Sequence, residues 1–434
     1  MRKSLWALLS TERTIALSKA KGSKIPCHVA KFVLAIFCIG MALPAAFSQV
    51  ARPDSVALKP ASQPKKWYEN FSIRGYAQVR YNRLLETNPQ LKCEQCDRSW
   101  GEGGGFFLRR VRVIISGHIS DRVFIYIQPD FASSASATGL HFGQLRDAYF
   151  DVAFDKKKTF RARFGQSKIP YGFENMQSSQ NRLPLDRNDG LNSAVVNERD
   201  LGVFLYWAPA AKRELFERLV RDCLKGSGDY CIAAFGVYNG QTANRPELND
   251  APHMVGRFTW PFEMSNGQIV EAGIQGYVGK YVISDTTKGV KVTMPKGSFD
   301  DRRIAGSFIL YPQPLGIQAE YNIGTGPQFD PATNSIKQTN LSGGYILVSY
   351  MFKPGNMVVI PFSRYHYFEG GKKHELDARS HSVNEFEAGI EWQITRNFEF
   401  TTMYTISDRR FEDGRLPVNS QSGSLLRLQA QVNF

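Results

Sequence analysis

A predicted strand gives way to a long polar segment in the stretch Phe164-Gly165-Gln166-Ser167-Lys168-Ile169-Pro170-Tyr171-Gly172-Phe173-Glu174-Asn175. Arginines alternate with other residues from Thr159 to Gln166, as expected along a strand. After Lys168, Pro170 and Gly172, about thirty residues pass without a clear apolar period. Loops of that length inside a compact protein are uncommon and are usually functional. We therefore expect a strand that leads directly into a functional loop.

Alternation of apolar and polar residues recurs along most of the chain. The apolar set of the first copy is Phe71, Ile73, Gly75, Ala77, Val79 and Tyr81. Arg74 and Arg80 lie in the intervening polar set, so the predicted strand has one apolar and one polar face. About 16 such copies follow one another, each about ten residues long and bounded by turn residues. The pattern predicts an all-β protein.

The connections between the predicted strands alternate in length. Short connections are found at 120–122, 155–158, 265–267, 312–314, 353–356 and 395–397. Long connections are found around 83–105, 132–143, 167–199, 240–252, 282–301, 325–340, 369–382 and 408–422. Short turns on one rim and long loops on the other are typical of an outer-membrane barrel. The barrel must close because lipid cannot satisfy a free sheet edge. We predict a transmembrane antiparallel β-barrel of about 16 strands.

A soluble β-sandwich would also alternate, but it would have no reason to gather aromatic residues at strand ends. Such residues do gather there, as they do in the interfacial girdles of membrane barrels. They are Tyr81, Phe106, Phe154, Trp207, Trp260, Tyr311, Phe352, Phe368, Trp392 and Phe398. The last strand ends in Phe434, which resembles the terminal assembly signal of bacterial outer-membrane barrels. Both features favour the barrel.

The first part of the chain has the pattern of an export signal. Its apolar run, Phe32 to Leu43, is too short to span a hydrocarbon core of about 30 Å as a helix. Small residues precede a cleavage point after Ser48. We predict a signal peptide at 1–48, a proline-containing periplasmic tether at 49–68 and the barrel at 69–434. Without the signal, 47 basic and 39 acidic residues remain, with no lysine stripe that would indicate nucleic-acid binding.

The four remaining cysteines form two close pairs. Cys93 and Cys96, and Cys223 and Cys231, can each form a disulfide in an oxidising compartment. Free or metal-binding thiols are the alternative. No His, Asp or Glu group shows the spacing of metal ligands, so the sequence predicts neither a metal site nor a cofactor.

One connection departs from the short-turn rule. Between Ala208 and Gly228, apolar residues repeat at helical spacing, which predicts a short amphipathic helix on the periplasmic side. The simplest interpretation is a packed insert that braces the rim. Binding of a partner is the alternative.

Strand parity places six arginines inside the first third of the barrel. They are Arg74, Arg80, Arg110, Arg112, Arg161 and Arg163. Guanidinium donors suit phosphate and carboxylate oxygens, which favours anion passage. The alternative is internal salt bridges with Asp130, Asp147, Asp151 and loop acids. Later strands place six glutamates inward, which predicts an acidic wall opposite the basic one. These are Glu271, Glu320, Glu385, Glu387, Glu391 and Glu399.

Two segments resemble the phosphate-selective porins O and P. The first is Arg161 to Glu174, with its glycine-glutamine-x-lysine-x-proline motif, and the second is Glu198-Arg199-Asp200-Leu201-Gly202-Val203. The resemblance implies a bacterial outer-membrane homotrimer that takes up phosphate or related small anions. It implies that the third long loop, which follows the fifth strand, folds into the lumen and that Lys168 is the constriction lysine. It also implies that Arg110, Arg112, Arg161 and Arg163 are candidate pore-wall cations.

Other functions compete with this hypothesis. A weakly selective general porin is the alternative within transport. A barrel phospholipase needs a lipid-facing serine and histidine with an orienting partner, and no such set is visible. A structural or adhesin barrel would have a closed pore. We therefore expect a channel and not an enzyme, in contact with lipid and small anions.

Overall fold

A computed structural model describes residues 67–93, 96, 105–132 and 142–434. The predicted signal peptide at 1–48, and the predicted tether except for residues 67 and 68, lie outside these residues.

Sixteen strands in the described part of the chain form a closed antiparallel barrel. The wall strands are β1 (Phe71–Leu84), β2 (Phe106–His118), β3 (Val123–Ala132), β4 (Phe142–Ala153), β5 (Phe160–Lys168), β6 (Arg199–Trp207), β7 (Ala233–Tyr238), β8 (His253–Glu263), β9 (Ile269–Val282), β11 (Ser298–Leu310), β12 (Leu315–Asp330), β13 (Ser335–Tyr350), β14 (Val358–Gly371), β15 (Ser380–Gln393), β16 (Phe398–Glu412) and β17 (Ser420–Asn433). A two-residue strand, β10 (Lys291–Val292), pairs in parallel with β13. The predicted fold class and strand number are confirmed.

Short helices lie in the connections. The α-helices are α1 (Phe173–Met176), α2 (Asp189–Asn192) and α3 (Ala210–Arg221). Single turns of 3₁₀-helix occur at Trp67–Asn70, Val196–Glu198, Pro295–Gly297 and Leu376–Ala378. In the part of the chain that the structure describes, no helix is long and apolar enough to cross a membrane.

The barrel closes where its first strand meets its last. β1 pairs antiparallel with β17 on one side and with β2 on the other. The N–H of Gly75 donates to the carbonyl of Phe434 at 2.8 Å, and the N–H of Phe434 donates back to Gly75 at 3.0 Å. The terminal residue therefore takes part in the seam that removes the free edges of the sheet.

Side chains alternate between an apolar outer face and a polar inner one. On β8, Met254 and Phe258 are 50% and 47% exposed, whereas Arg257 and Thr259, on the opposite face of the strand, are buried. This is the reverse of a soluble sandwich, whose apolar face is the buried one. The alternation thus places the charged residues of the wall inside the barrel.

Most of the predicted girdle aromatics are exposed or half-buried, but two are not. Tyr311 and Phe368 are fully buried, so their assignment to the girdle is wrong. Tyr311 follows the end of β11, and its hydroxyl donates to Oε2 of Glu271 at 2.5 Å inside the barrel. Phe368 packs with Leu341 and Val383. A position near the end of a strand is therefore not enough to predict that an aromatic residue faces the lipid interface.

The prediction of a long loop at 325–340 is wrong. β12 continues to Asp330 and β13 begins at Ser335, so a tight turn joins two of the longest strands. The extension is held by buried Phe329 and Ile336, the latter packed in an apolar cluster with Tyr281 and Phe299. Because these apolar residues pack against one another and away from lipid, strand pairing extends further than the sequence pattern suggested.

The helical insert and one of the two cysteine pairs are as predicted. α3 buries Leu215, Phe216 and Leu219, and it lies at the end of the barrel that carries the short turns. Cys93 and Cys96 form a disulfide. Cys223 and Cys231 are free thiols, so a disulfide between them is not formed. Sγ of Cys231 instead accepts a hydrogen bond of 3.0 Å from Nη2 of Arg161.

We expect Gly75→Val to impair closure of the barrel. A Cβ atom at Gly75 would lie 2.2 Å from the carbonyl oxygen of Arg112 and 2.6 Å from the ring of Phe434. Overpacking of this kind costs about 1–3 kcal/mol or more. The folded fraction, measured as the heat-modifiable band on gels, should fall. Gly256→Val is the matched control, because a Cβ at Gly256 meets nothing within 4 Å. Equal folded fractions for the two variants would contradict this account of the seam.

Candidate functional site

The β5–β6 segment, residues 169–198, leaves the wall directly after Lys168. Gly172 has a φ of 78°, a left-handed conformation in which a side chain would be strained, and α1 begins at the next residue. Further along, the side chain of Asn188 caps α2 by accepting from the N–H of Leu191 at 3.1 Å. The turn at Gly172 and the cap at Asn188 therefore fix the backbone of the segment locally, although its sequence has no apolar period.

The start of the segment is bound to strands far along the chain. Glu320 on β12 accepts from the N–H of Phe173 at 2.5 Å and from that of Glu174 at 2.9 Å. Arg364 on β14 donates to Oε1 of Glu174 at 2.6 Å. A carboxylate and a guanidinium from the later strands thus bind the backbone and side chain of the segment.

The middle of the segment is bound to the two strands that form the seam. Asp186 forms ion pairs with Arg80 on β1, at 3.3 Å, and with Arg427 on β17. Arg80 also donates to the carbonyl of Leu185 at 2.6 Å. Burial alone would raise the pKa of Asp186, but Arg427 and Arg80 hold that pKa well below its usual range.

Apolar packing joins the segment to the insert helix. Buried side chains of the segment and of α3 belong to one cluster, together with inward-facing residues of the later strands. Its members include Ile169, Tyr171, Phe173, Leu183, Leu185, Leu191, Leu215, Phe216, Leu219, Tyr311, Leu347 and Phe362. The segment and α3 therefore share one apolar cluster with residues of the later strands.

Lys168, the predicted constriction lysine, is buried at the start of the segment. Its Nζ donates to the carbonyls of Met176, at 3.0 Å, and Gln177, at 2.7 Å. It lies 3.6 Å from Oε2 of Glu198 and 5.7 Å from the ring centroid of Tyr230. The structure thus places Lys168 between both ends of the β5–β6 segment.

Glu198 is the acceptor at the centre of a group of cations. Its carboxylate lies 2.6 Å from Arg199, 3.2 Å from Arg187 and 3.6 Å from Lys168. Burial alone would raise the pKa of Glu198, but these cations hold it well below its usual range. Burial and the neighbouring Arg182 lower the pKa of Arg187 to about 10 despite the attraction of Glu198. A single carboxylate does not neutralise this group.

Several of the predicted wall arginines are held in ion pairs. Arg163 binds both oxygens of Asp151, at 2.7 and 2.9 Å. Arg112 lies 2.7 Å from Asp130, and Arg161 lies 3.1 Å from Asp229. Arg80 is paired with Asp186, as described above. These contacts are the internal salt bridges that the sequence offered as an alternative to anion passage, and both roles remain compatible.

Two predicted arginines have no carboxylate partner among the described residues. Arg74 is exposed to the interior space. Arg110 is 5% exposed, and its Nη1 donates to the neutral side chain of Gln78 at 2.8 Å, while its Nε has no hydrogen-bond partner. The charges that act on it most strongly are the guanidinium groups of Arg109, Arg112, Arg182 and Arg80.

Sequence reasoning gave no role to two further arginines. Arg182 in the β5–β6 segment is 6% exposed, and its Nε and Nη1 have no hydrogen-bond partner. A bulge opposite Gln128 and Pro129 turns Arg146 inward next to Asp147. Among the described residues, its guanidinium donates to Asn197, at 3.1 and 3.4 Å, and to no carboxylate. The one available signal for Arg146 was Pro129, since proline within a strand often marks a bulge. No sequence pattern could place Arg182.

A cavity of about 430 Å³ lies along β2 to β5, the β5–β6 segment and the insert. Nine lysines and arginines line it, against four acids, so its lining carries excess positive charge. The cations are Arg74, Arg112, Arg122, Lys158, Arg161, Arg163, Lys168, Arg199 and Arg213, and the acids are Asp147, Asp151, Glu217 and Asp229.

The predicted acidic wall is present, but it does not face open space as expected. All six glutamates are buried. Glu320 binds the segment backbone, while Glu271, Glu385, Glu387 and Glu391 contact Arg257, Arg409, Arg364 and Lys225, respectively. The packed segment covers these strands, so their carboxylates act within ion pairs. Three possible metal ligands, His366, Glu385 and Glu387, approach one another within 4.8 Å in this region.

A closed 16-stranded barrel with an apolar outer face and a charged interior defines an outer-membrane channel. The chain belongs to the family of phosphate-selective porins O and P, whose model matches residues 90–434. It is therefore a bacterial outer-membrane channel and not an enzyme.

Solved porin structures have the same fold. The outer-membrane channel DcaP of Acinetobacter baumannii is 13% identical, with 84% of this chain and 97% of that chain covered and a TM-score of 0.50. OmpF of Salmonella typhi, in complex with daunomycin, is 12% identical, with the same coverage and the same TM-score. Identities this low show the fold alone. A comparison with curated proteins finds no match.

We expect Glu198→Gln to destabilise the protein by about 3–5 kcal/mol, since it leaves Lys168 and Arg187 without their carboxylate and removes one of the two that pair with Arg199. The free energy of unfolding from urea titration of the folded protein in detergent measures this loss. Asp330→Asn is the control, because Asp330 pairs with Lys337 at the surface at 2.5 Å. Surface pairs contribute about 1 kcal/mol or less. A loss for Glu198→Gln as small as that of the control would refute the central role of this carboxylate.

Proposed function

We propose that the chain is a diffusion porin for phosphate or related small anions, with the β5–β6 segment folded into the lumen as its constriction. The proposal is carried by the buried guanidinium groups of Arg110 and Arg182, which have no carboxylate partner in the described structure. A buried charge without a partner is costly, and a passing anion would supply that partner.

The contacts of the β5–β6 segment support its role as a constriction. Glu174 and Asp186 reach arginines on β14, β1 and β17, which are distributed around the barrel wall. Apolar side chains of the segment pack beside the later strands. Free space then remains along β2 to β5, where the cavity lining is predominantly cationic. Anions would therefore pass along that side.

The seven cations predicted from the sequence would act in two ways. Arg74 lines the cavity directly, and Arg110 offers an incompletely satisfied guanidinium. Arg80, Arg112, Arg161, Arg163 and Lys168 are held by acids or carbonyls, so we propose that they set the local potential and share their donors with an anion. Guanidinium donors fit phosphate oxygens in either case.

The remaining features of the proposal follow the family resemblance. We propose a signal peptide at 1–48, a periplasmic tether at 49–68 and a barrel at 69–434 that assembles as a homotrimer. The exposed apolar band supports contact with lipid, since Ile274, Ile304 and Ile346 on neighbouring strands all face outward. The insert helix lies on the periplasmic side, where short turns are expected.

A weakly selective general porin is the second candidate. It is favoured by the ion pairs of Arg112, Arg161 and Arg163, which neutralise much of the cationic wall. Selectivity would then depend on the few cations that lack a carboxylate.

Reversal potentials across a salt gradient in a planar bilayer test the proposal. We expect anion preference for the native protein, and a several-fold lower anion-to-cation permeability ratio for Arg110→Gln, Arg182→Gln and Lys168→Glu. A unit charge about 8 Å from a passing ion contributes about 0.5 kcal/mol in water and about 2 kcal/mol at an effective dielectric constant near 20. Preference for phosphate over chloride is measured by the same method.

Arg302→Gln serves as the matched control, because Arg302 is exposed on β11 and donates to Thr325 at 3.2 Å. Its permeability ratio should equal that of the native protein. Cation preference that Lys168→Glu leaves unchanged would refute anion passage. Weak anion preference in the native protein, unaffected by Arg110→Gln and Arg182→Gln, would favour the general porin.

A further inference from the structure

His366 on β14 is a buried histidine whose ring nitrogens both lack a hydrogen bond. Its side chain is 1% exposed, and neither Nδ1 nor Nε2 has a hydrogen-bond partner. Buried polar groups in proteins are nearly always satisfied, because leaving one unpaired costs about 1–3 kcal/mol. An imidazole nitrogen in this position is therefore available to bind a further group.

Carboxylate oxygens from two other elements surround that nitrogen. Nε2 of His366 lies 3.4 Å from Oδ2 of Asp189 on α2 and 3.8 Å from Oε1 of Glu385 on β15. Glu387, also on β15, offers an oxygen such that His366, Glu385 and Glu387 all bring ligand atoms within 4.8 Å of one another. Oε1 of Glu387 has no hydrogen-bond partner either.

These separations are close to those in the ligand shell of a small divalent ion. Tetrahedral zinc binds nitrogen and carboxylate oxygen at about 2.0–2.2 Å, which sets ligand atoms about 3.3–3.5 Å apart. The 3.8 Å between Nε2 of His366 and Oε1 of Glu385 needs a shift of a few tenths of an ångström, and Glu387, whose ligand oxygen lies within 4.8 Å of the other two, needs a larger one.

Neighbouring cations leave part of each carboxylate available. Arg364 binds Oε2 of Glu387 at 2.5 Å, and Arg409 binds Oε2 of Glu385 at 2.8 Å, which in both cases leaves Oε1 toward the histidine. Lys372 binds Oδ1 of Asp189 at 2.5 Å, while Oδ2 is shared with Arg409 at 2.8 Å. Arg427 lies 3.6 Å from Oε1 of Glu387. The cations thus orient the carboxylates in the way that outer partners orient metal ligands.

We propose that His366, Glu385 and Glu387 form a binding site for a divalent transition-metal ion, best suited to Zn²⁺. One imidazole with two carboxylates suits zinc better than calcium, which takes six to eight oxygen ligands. The ion links β14 to β15 of the wall. It is a structural ion, held where no substrate passes.

The test uses the full-length folded protein in detergent, stripped with a chelator and then dialysed against Zn²⁺ or Ca²⁺. Metal content per chain is measured by inductively coupled plasma mass spectrometry. We expect one tightly held Zn²⁺ per chain, no comparable Ca²⁺, and a higher midpoint of thermal unfolding with Zn²⁺. His366→Asn should weaken zinc binding by about tenfold or more, since even changes behind the ligands cost about 10–100-fold.

His118→Asn is the control, because His118 lies at the other end of the wall, on β2, where it approaches Lys158 at 3.1 Å. It should keep the bound zinc. Glu387→Gln gives a second variant if His366→Asn does not fold. Absence of bound Zn²⁺ in the native protein would overturn the proposal. Equal zinc content in native protein and both site variants would overturn it as well.

Discussion

Lipid offers no hydrogen-bond partner to the edge of a sheet, and this constraint determines the rest of the molecule. The chain satisfies it by pairing β1 with β17, with Gly75 and Phe434 at the seam. A closed wall in lipid must be apolar outside, so most polar side chains of the strands are directed inward. The interior therefore receives more charge than the wall alone can pair. A large part of the structure consists of the partners that this charge requires.

The β5–β6 segment supplies many of those partners. Its acids Glu174, Asp186 and Glu198 contact arginines and a lysine from strands across the whole sequence. Removing one member of such a buried pair is strongly destabilising, because the other charge is left without a partner. Ion pairs therefore hold the segment in place together with its apolar packing. Arg74, Arg110, Arg146 and Arg182 have no carboxylate partner among the residues that the structure describes. The arginines without a carboxylate partner and the ion pairs that stabilise the fold therefore belong to one network of charged residues.

Alternation and loop length predicted the wall because both are local properties of the sequence. The 16 strands, the short turns and the insert helix followed from them, as did the inward direction of Arg80 and Arg163. Partners could not be predicted in the same way, because Asp186 meets Arg427 across 241 positions. The tight turn after Asp330 and the burial of Tyr311 depend on packing between distant residues. Arg146 was missed because a bulge changes parity by one residue.

Asp186 contacts Arg80 on the first strand and Arg427 on the last, so a residue from the middle of the chain spans the seam from inside. This arrangement relates the order of assembly to the position of the segment. The carboxylate finds both cations only when the two ends of the chain are side by side. Docking of the segment and joining of the chain ends are therefore thermodynamically coupled steps. An incompletely joined barrel would lack the ion pairs of Asp186, while the contacts of Glu174 with β12 and β14 would still hold the start of the segment.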